Sequence, residues 1–208
     1  MRKIERIISI LNKKYKIKPW RDDPFKVLIS CILSQRTKDE VTREASEKLF
    51  KFANTPEKIL KLSVKKIESL IYPVGFYRQK AKRIKKVCKI LIEKYNGKVP
   101  NSREELLKLP GVGFKTADVV LSYGYGKPVI AIDTHVFQVA RRLGLTKSDN
   151  PEKIREDLHK IIPEKFRLIV NLLFVEFGKE ICRTIRPKCE ACPIKEFCEY
   201  YSKSIKIC

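Results

Sequence analysis

Apolar residues recur along this chain at three- and four-residue intervals, and that spacing predicts helices almost throughout. Ile4, Ile7, Ile8 and Leu11 form one stripe. Val27, Leu28, Cys31, Ile32 and Leu33 form a denser run, and Val41, Ala45 and Leu49 mark a third helix. Start and stop signals punctuate the pattern. Thr55 before Pro56 reads as an N-cap with proline at the first helical position, and Ser63 can cap a helix carrying Ile67, Leu70 and Ile71. Gly75 breaks the chain before a long helix from about Tyr77 to Tyr95. Ser102 and Glu105 have capping-box spacing ahead of Leu106 and Leu107. Asn150-Pro151 opens a further helix; another begins near Glu164, and Gly178 is expected to close it. The most strand-like stretch, 123–132, is short and interrupted by glycines. The predicted fold class is all-α with short loops.

Composition narrows the picture. The 208 residues allow one large or two small domains, and 43% hydrophobic content is enough for a sizeable core. Lys and Arg number 46 against 24 Asp and Glu, a formal net charge of +22. Such a field attracts polyanions; nucleic acid is the default partner, and an anionic membrane surface or a ribosome also fits. No uncharged apolar run reaches the length of a bilayer span, and the longest apolar region, 166–177, is broken by Arg167, Asn171 and Glu176. The N-terminus carries charges throughout and lacks the apolar segment of a secretory signal. An intracellular, cytoplasmic protein is therefore expected, and in a reducing compartment the seven cysteines are not read as a disulfide framework. High Lys and Glu content with one Met leans towards a thermophile.

Candidate chemistry lies in two places. Cys182, Cys189, Cys192 and Cys198 follow the spacing C-x6-C-x2-C-x5-C, with Pro187 and Pro193 stiffening the loops between them. Four thiolates in so short a span suit tetrahedral zinc or a [4Fe-4S] cluster alike by ligand softness. Arg183, Arg186 and Lys188 lie between the first two, where a metal-tied loop would hold them ready for phosphates. Cys31 and Cys88 fall on apolar helix faces and are expected in the core; Cys208 is terminal and expected to have no role. The second place is Leu109-Pro110-Gly111-Val112-Gly113, between two predicted helices. Its glycines permit positive φ and close backbone approach, and the helix that follows presents unpaired N–H groups to an anion. Phe114-Lys115-Thr116-Ala117 and Asp133-Thr134-His135 follow.

The stretch LPGVGFKTADVVLSYGYGKPVIAIDTHVFQVARRLG resembles the helix-hairpin-helix plus Gly/Pro-Asp signature of the endonuclease III family of DNA glycosylases. The tail ICRTIRPKCEACPIKEFCEY resembles that family's cluster loop, with the same spacing of four cysteines. The resemblance runs back through GFYRQKAKRI and PFKVLISCILSQRTKDEVT, so it covers most of the chain. It implies a two-domain helical fold: a six-helix domain over 18–127 carrying the hairpin, and a discontinuous domain of 1–17 and 128–208 carrying the cluster, with the active site in the cleft between them. It implies a [4Fe-4S] cluster rather than zinc, held by Cys182, Cys189, Cys192 and Cys198. It implies a bifunctional N-glycosylase and AP lyase acting on oxidised pyrimidines in double-stranded DNA, monomeric and associated with the nucleoid.

By the same resemblance Lys115 is the nucleophile and Asp133 its carboxylate partner; the spacing also fits Asp133 as the N-cap of the next helix. Gly111, Val112 and Gly113 would hold the DNA backbone, with His135 beside the site and Arg183, Arg186 and Lys188 on the cluster loop. Phe76 falls where the family has an apolar wedge. A gapless comparison puts Arg36 where bacterial relatives carry Gln, with Gln35 one place earlier, so contacts to the orphaned base are expected to differ. Arg78, Lys80, Lys82, Arg83, Lys85 and Lys86 crowd the next helix, and some are expected to face DNA. His159 belongs to no motif and is expected to be structural. Two other readings are open: a glycosylase removing thymine, uracil or adenine from mismatches, and a non-catalytic, metal-stabilised DNA-binding module. Mismatch-specific relatives generally lack a lysine at position 115, and no additional domain of the adenine-removing kind is expected beyond the last clustered cysteine. A bare binding module gives Lys115 and Asp133 no reason to occupy motif positions.

Overall fold

Side-chain caps set the helix starts. In this computed structural model, which describes residues 2–205, Thr55 Oγ1 accepts from Lys58 N at 3.3 Å and Ser63 Oγ from Lys66 N at 3.1 Å. These open α4 (Pro56–Lys61) and α5 (Val64–Ile71). Asp23 caps α2 (Pro24–Ser34), accepting from Phe25 N and Lys26 N, with proline at the first position. Asn150 caps α10 (Pro151–Ile161) in the same way. The remaining helices are α1 (Lys3–Tyr15), α3 (Asp39–Phe52), α6 (Tyr77–Tyr95), α7 (Arg103–Leu107), α8 (Phe114–Val119), α9 (Thr134–Arg142), α11 (Glu164–Glu180) and α12 (Glu199–Ile205). A π-helical segment, Val120–Gly124, continues α8, and a 3-10 turn covers Lys195–Phe197. The chain is all-α: no strand occurs among the described residues, and 123–132 is not one. Among them, no helix is long and apolar enough to cross a membrane. Cys208 lies outside the described residues.

The chain separates into two compact units, one running up to Trp20 and resuming at Lys127, the other Arg21–Gly126. In the first, α1 turns Ile4, Ile7, Ile8 and Leu11 inward, onto a core shared with Val136 and Val139 of α9, Leu158 of α10, and Leu173, Phe174 and Phe177 of α11. Each such side chain contributes about 1.5–3 kcal/mol on burial. His159 accepts from Ile130 N at 3.0 Å, the structural use expected of it. In the second unit α2 is the central element, with Leu28, Ile29, Ile32 and Leu33 fully buried, while Cys31 is only half-buried.

Several details differ from the sequence expectation. The buried stripe of α3 is Thr42, Ala45, Ser46 and Leu49, with Val41 half-exposed. Two polar residues turn inward because their hydroxyls are satisfied: Thr42 Oγ1 donates to Lys38 O at 3.0 Å, and Ser30 Oγ donates to Ser46 Oγ at 3.2 Å. Ser102 caps α7 through Glu105 N at 3.3 Å, but the Glu105 carboxylate takes Tyr95 OH at 2.7 Å and Lys108, so the box is half made. Gly178 does not close α11, which runs on to Glu180. A Cβ there would stand 2.6 Å from His135 Nδ1, so the glycine serves the close approach of α9 to α11.

Candidate nucleic-acid and metal sites

The glycine hairpin joins α7 to α8 within the second unit. Gly111 has φ +80°, a left-handed conformation that favours glycine, and a Cβ there would meet Arg83 Cδ at 2.4 Å. Gly113 is different. Its φ of −101° suits any residue, and nothing lies within 4 Å of where its Cβ would stand. What Gly113 supplies is an unobstructed surface, not a turn. The first bond of the following helix is Ala117 N to Gly113 O at 2.9 Å, which points the N–H groups of Phe114, Lys115 and Thr116 towards the helix mouth. Lys115 is exposed on this first turn. Its charge is felt by Cys31 on α2: burial pushes that thiol up to about 11, and the lysine pulls the other way. The helix is held by Asp118, which is buried and takes a two-pronged contact from Arg103, Nε at 3.0 Å and Nη2 at 3.2 Å. The Arg103 guanidinium also covers the Phe114 ring at 4.6 Å.

Two loops stand beside the hairpin in the same unit. Arg36 and Phe76 both sit in the left-handed region, φ +53° and +58°, where non-glycine residues are uncommon and cost on the order of 1–3 kcal/mol. Phe76 is 55% exposed, and the Arg36 guanidinium lies 5.8 Å from its ring centre. Together with Gln35, Gln79, Lys80 and Arg83 they line a hollow of about 220 Å³. Gln35 is engaged within the protein: Nε2 donates to Gly111 O at 2.9 Å, and Oε1 accepts from Arg83 Nη1 at 3.1 Å. It fastens the loop to the hairpin.

The basic run on α6 divides. Arg78, Lys82 and Lys86 are exposed. Lys80 and Lys85 turn inward instead. Lys85 Nζ donates to Leu60 O at 3.1 Å and Leu62 O at 2.6 Å, closing the end of α4. Lys80, 3% exposed, donates to Leu33 O at 2.8 Å, Gln35 O at 2.5 Å and Thr37 Oγ1 at 3.1 Å. Burial, and to a lesser degree the Arg83 charge, bring its pKa down to about 8. Sequence reasoning missed these inward lysines, because their acceptors, four carbonyls and the Thr37 hydroxyl, are brought near only by folding.

In the first unit Asp133 precedes α9, and its Oδ1 accepts from Val136 N at 2.8 Å. The capping reading is therefore realised. His135 is half-buried, with its ring against α11 at Gly178.

Cys182, Cys189, Cys192 and Cys198 line one pocket, walled by Leu143, Phe177 and Ile181. Among the described residues no group of three or more His, Cys, Asp or Glu side chains is placed to hold a metal ion. The donor set nonetheless suits a thiophilic iron–sulfur group: four soft sulfurs, an apolar wall, and cations close by in Arg142 and Lys195. Arg142 lies at the end of α9. Its Nη1 lies 3.5 Å from Cys182 Sγ and donates to Arg183 O at 2.7 Å, and its Nη2 donates to Thr184 O at 3.1 Å. Gln138 Nε2 also donates to Cys182 O. Burial raises the Cys182 and Cys189 thiols and takes Cys192 up to about 11. Arg183, Arg186 and Lys188 on the intervening loop are all exposed, and Arg186 has φ +50°. No spacing rule flagged Arg142 or Gln138, which reach the loop from about 40 residues away in sequence.

Comparison with known proteins fits this geometry. Residues 29–164 match the family described as HhH-GPD superfamily base excision DNA repair protein. The chain is 47% identical to endonuclease III of Thermotoga maritima over 200 residues, 96% of this chain and 94% of the relative. It is 40% identical to endonuclease III of Escherichia coli K12 over 180 residues, 86% and 85% of the two chains. A trapped endonuclease III–DNA covalent intermediate, an estranged-adenine complex, superposes with TM-score 0.87 at 36% identity over 99% of both chains. A thermostable thymine-DNA glycosylase gives the same TM-score at 29% identity over 97% of both. The hairpin, the cysteine loop and these likenesses along nearly the whole length agree: the chain belongs to the HhH-GPD superfamily of base excision repair proteins, among the endonuclease III enzymes.

Proposed function

We propose that the protein is a bifunctional DNA N-glycosylase and AP lyase that removes oxidised pyrimidines from duplex DNA. The observation that carries this is Lys115, an exposed amine on the first turn of α8, directly after a hairpin whose Gly113 leaves its surface open. A damaged nucleotide leaves the stack at a cost of a few kcal/mol, least where its pairing is already weak. Gly111, Val112, Gly113 and the N–H groups at the head of α8 hold the backbone phosphate without reading sequence. Arg36 and Phe76 fill the space the nucleotide vacates, with Gln35 holding the Arg36 loop to the hairpin.

The chemistry follows from the amine. As the glycosidic bond lengthens, positive charge grows on the sugar, and the Asp133 carboxylate stabilises it. The unprotonated Lys115 Nζ forms a bond to C1′, and the base departs with the bonding electron pair and takes up a proton. Opening of the sugar ring gives a Schiff base. That imine acidifies the C2′ hydrogens. Loss of one of them breaks the C3′–O bond, so the strand is cut on the 3′ side, and water then releases the lysine.

Cys182, Cys189, Cys192 and Cys198 would hold a [4Fe-4S] cluster. When bound, it ties both ends of the loop that presents Arg183, Arg186 and Lys188 to phosphates. Base removal and β-elimination transfer no net electrons, so these steps need no redox change.

An excision assay tests the reading. Duplexes carrying thymine glycol should lose the base and be cleaved, and undamaged duplex should not. Release of thymine from T·G mismatches without strand cleavage would instead assign a mismatch glycosylase. Equal binding of damaged and undamaged duplex with no turnover would assign a binding module.

A further inference from the structure

Lys80 poses a question the proposed chemistry leaves unanswered. Burying an ammonium costs several kcal/mol unless its protons find acceptors, and an apolar side chain would fill the same space without that cost. All three acceptors of Lys80 lie in the segment Leu33–Thr37: two carbonyls at the end of α2 and the Thr37 hydroxyl. Thr37 Oγ1 also accepts from Gly75 N at 3.2 Å. Lys80 thus fastens the Gln35–Thr37 loop to α6, and Thr37 links that loop to the Gly75–Phe76 turn that opens α6. The two backbones touch there, since a Cβ on Gly75 would lie 2.7 Å from Arg36 O. The residues immediately beside these anchors, Arg36 and Phe76, carry the left-handed conformations and face each other across 5.8 Å.

We propose that Lys80 is a positioning residue for base extrusion. Its buried ammonium fixes the Gln35–Thr37 loop to α6 and, through Thr37, the Gly75–Phe76 turn, and so holds Arg36 and Phe76 in the strained geometry with which they enter the duplex. The proposal rests on the assignment of Arg36 and Phe76 as the side chains that fill the vacated space. Lys80 is not a second nucleophile, because it is buried and already donates to three acceptors. Holding the loops before DNA arrives means that binding energy is not spent on ordering them.

Lys85 supplies the control. It lies five residues along the same helix and makes bonds of the same kind to carbonyls, but at the end of α4, away from both loops. Generic loss of a buried cap is therefore common to Lys80→Met and Lys85→Met, and loss of loop positioning belongs to Lys80→Met alone. The experiment measures single-turnover excision of thymine glycol paired with adenine, and of the same lesion left unpaired by a mismatch, with borohydride trapping on abasic duplex alongside.

Lys80→Met should slow excision of the paired lesion at least roughly tenfold more than Lys85→Met does, about 1.4 kcal/mol of barrier. The deficit should largely vanish on the unpaired lesion, and abasic trapping should persist. Lys80→Arg, which keeps the charge and donors, should recover part of the rate. Thr37→Val, which cuts the link to Gly75 while keeping Lys80, should show the same paired-lesion deficit and carries the comparison if Lys80→Met does not fold. Equal slowing by the Lys80 and Lys85 variants, or a deficit indifferent to pairing, would overturn the proposal. Wild-type protein that neither excises nor traps would instead overturn the functional reading beneath it.

Discussion

Asp133 spends one carboxylate oxygen capping α9, and the proposed chemistry asks the same group to stabilise charge on a sugar. The two uses separate in Asp133→Asn. Asparagine caps about as well as aspartate, so unfolding free energy should change by less than about 0.5 kcal/mol. Excision should fall on the order of 10²–10³-fold, the cost of removing one preorganised electrostatic contact. A variant that loses stability and keeps its rate would reduce Asp133 to a cap. Lys80 makes a pH prediction. Its folded pKa of about 8 lies below the ordinary lysine value of 10.5 because of burial and the Arg83 charge. Between those two values the unfolded chain holds a proton that the folded chain has released, so this group stabilises the fold as pH rises, by at most about 1.4 kcal/mol per unit. Denaturant unfolding from pH 7.5 to 10 should show wild type gaining on Lys80→Met; parallel curves would contradict the assignment.

At the scale of elements, α9 and α11 depend on Gly178. A methyl group there meets His135, so Gly178→Ala should destabilise by about 1–3 kcal/mol, as overpacking does, readable as a lower Tm. An unchanged Tm would mean that the helices can part at no cost. The same glycine shows what a sequence discloses. Thr55, Ser63 and Asn150 announce helix starts because a cap is local chemistry, complete within three or four residues. Gly178 could close a helix or admit a neighbour, and only the partner helix decides. Ser46 was unreadable as core because its hydroxyl partner, Ser30, comes from another helix, and Lys80 and Lys85 looked like surface charge because lysine usually is. The cysteine spacing was legible; Arg142, which joins that loop to α9, was not. Lys115 and Asp133 stood out only through the motifs around them, since one exposed lysine among so many basic residues carries no signal of its own.

The whole molecule's charge of +22 governs how it meets DNA. Phosphate contacts release counterions, so the logarithm of affinity should fall steeply and linearly with the logarithm of salt, for undamaged as well as damaged duplex. Arg186→Ala should shallow that slope by about one if its side chain neutralises a phosphate; an unchanged slope would take the loop out of the interface. The central claim is narrower: one amine, that of Lys115, bonds to the sugar. Borohydride reduction during reaction with damaged duplex, followed by mass mapping of the adduct, reads it directly. The wild-type protein should yield a single cross-linked peptide bearing the sugar remnant at Lys115, and Lys115→Ala should yield none. A Lys115→Ala protein that cross-links and nicks abasic DNA as efficiently as wild type would contradict the account.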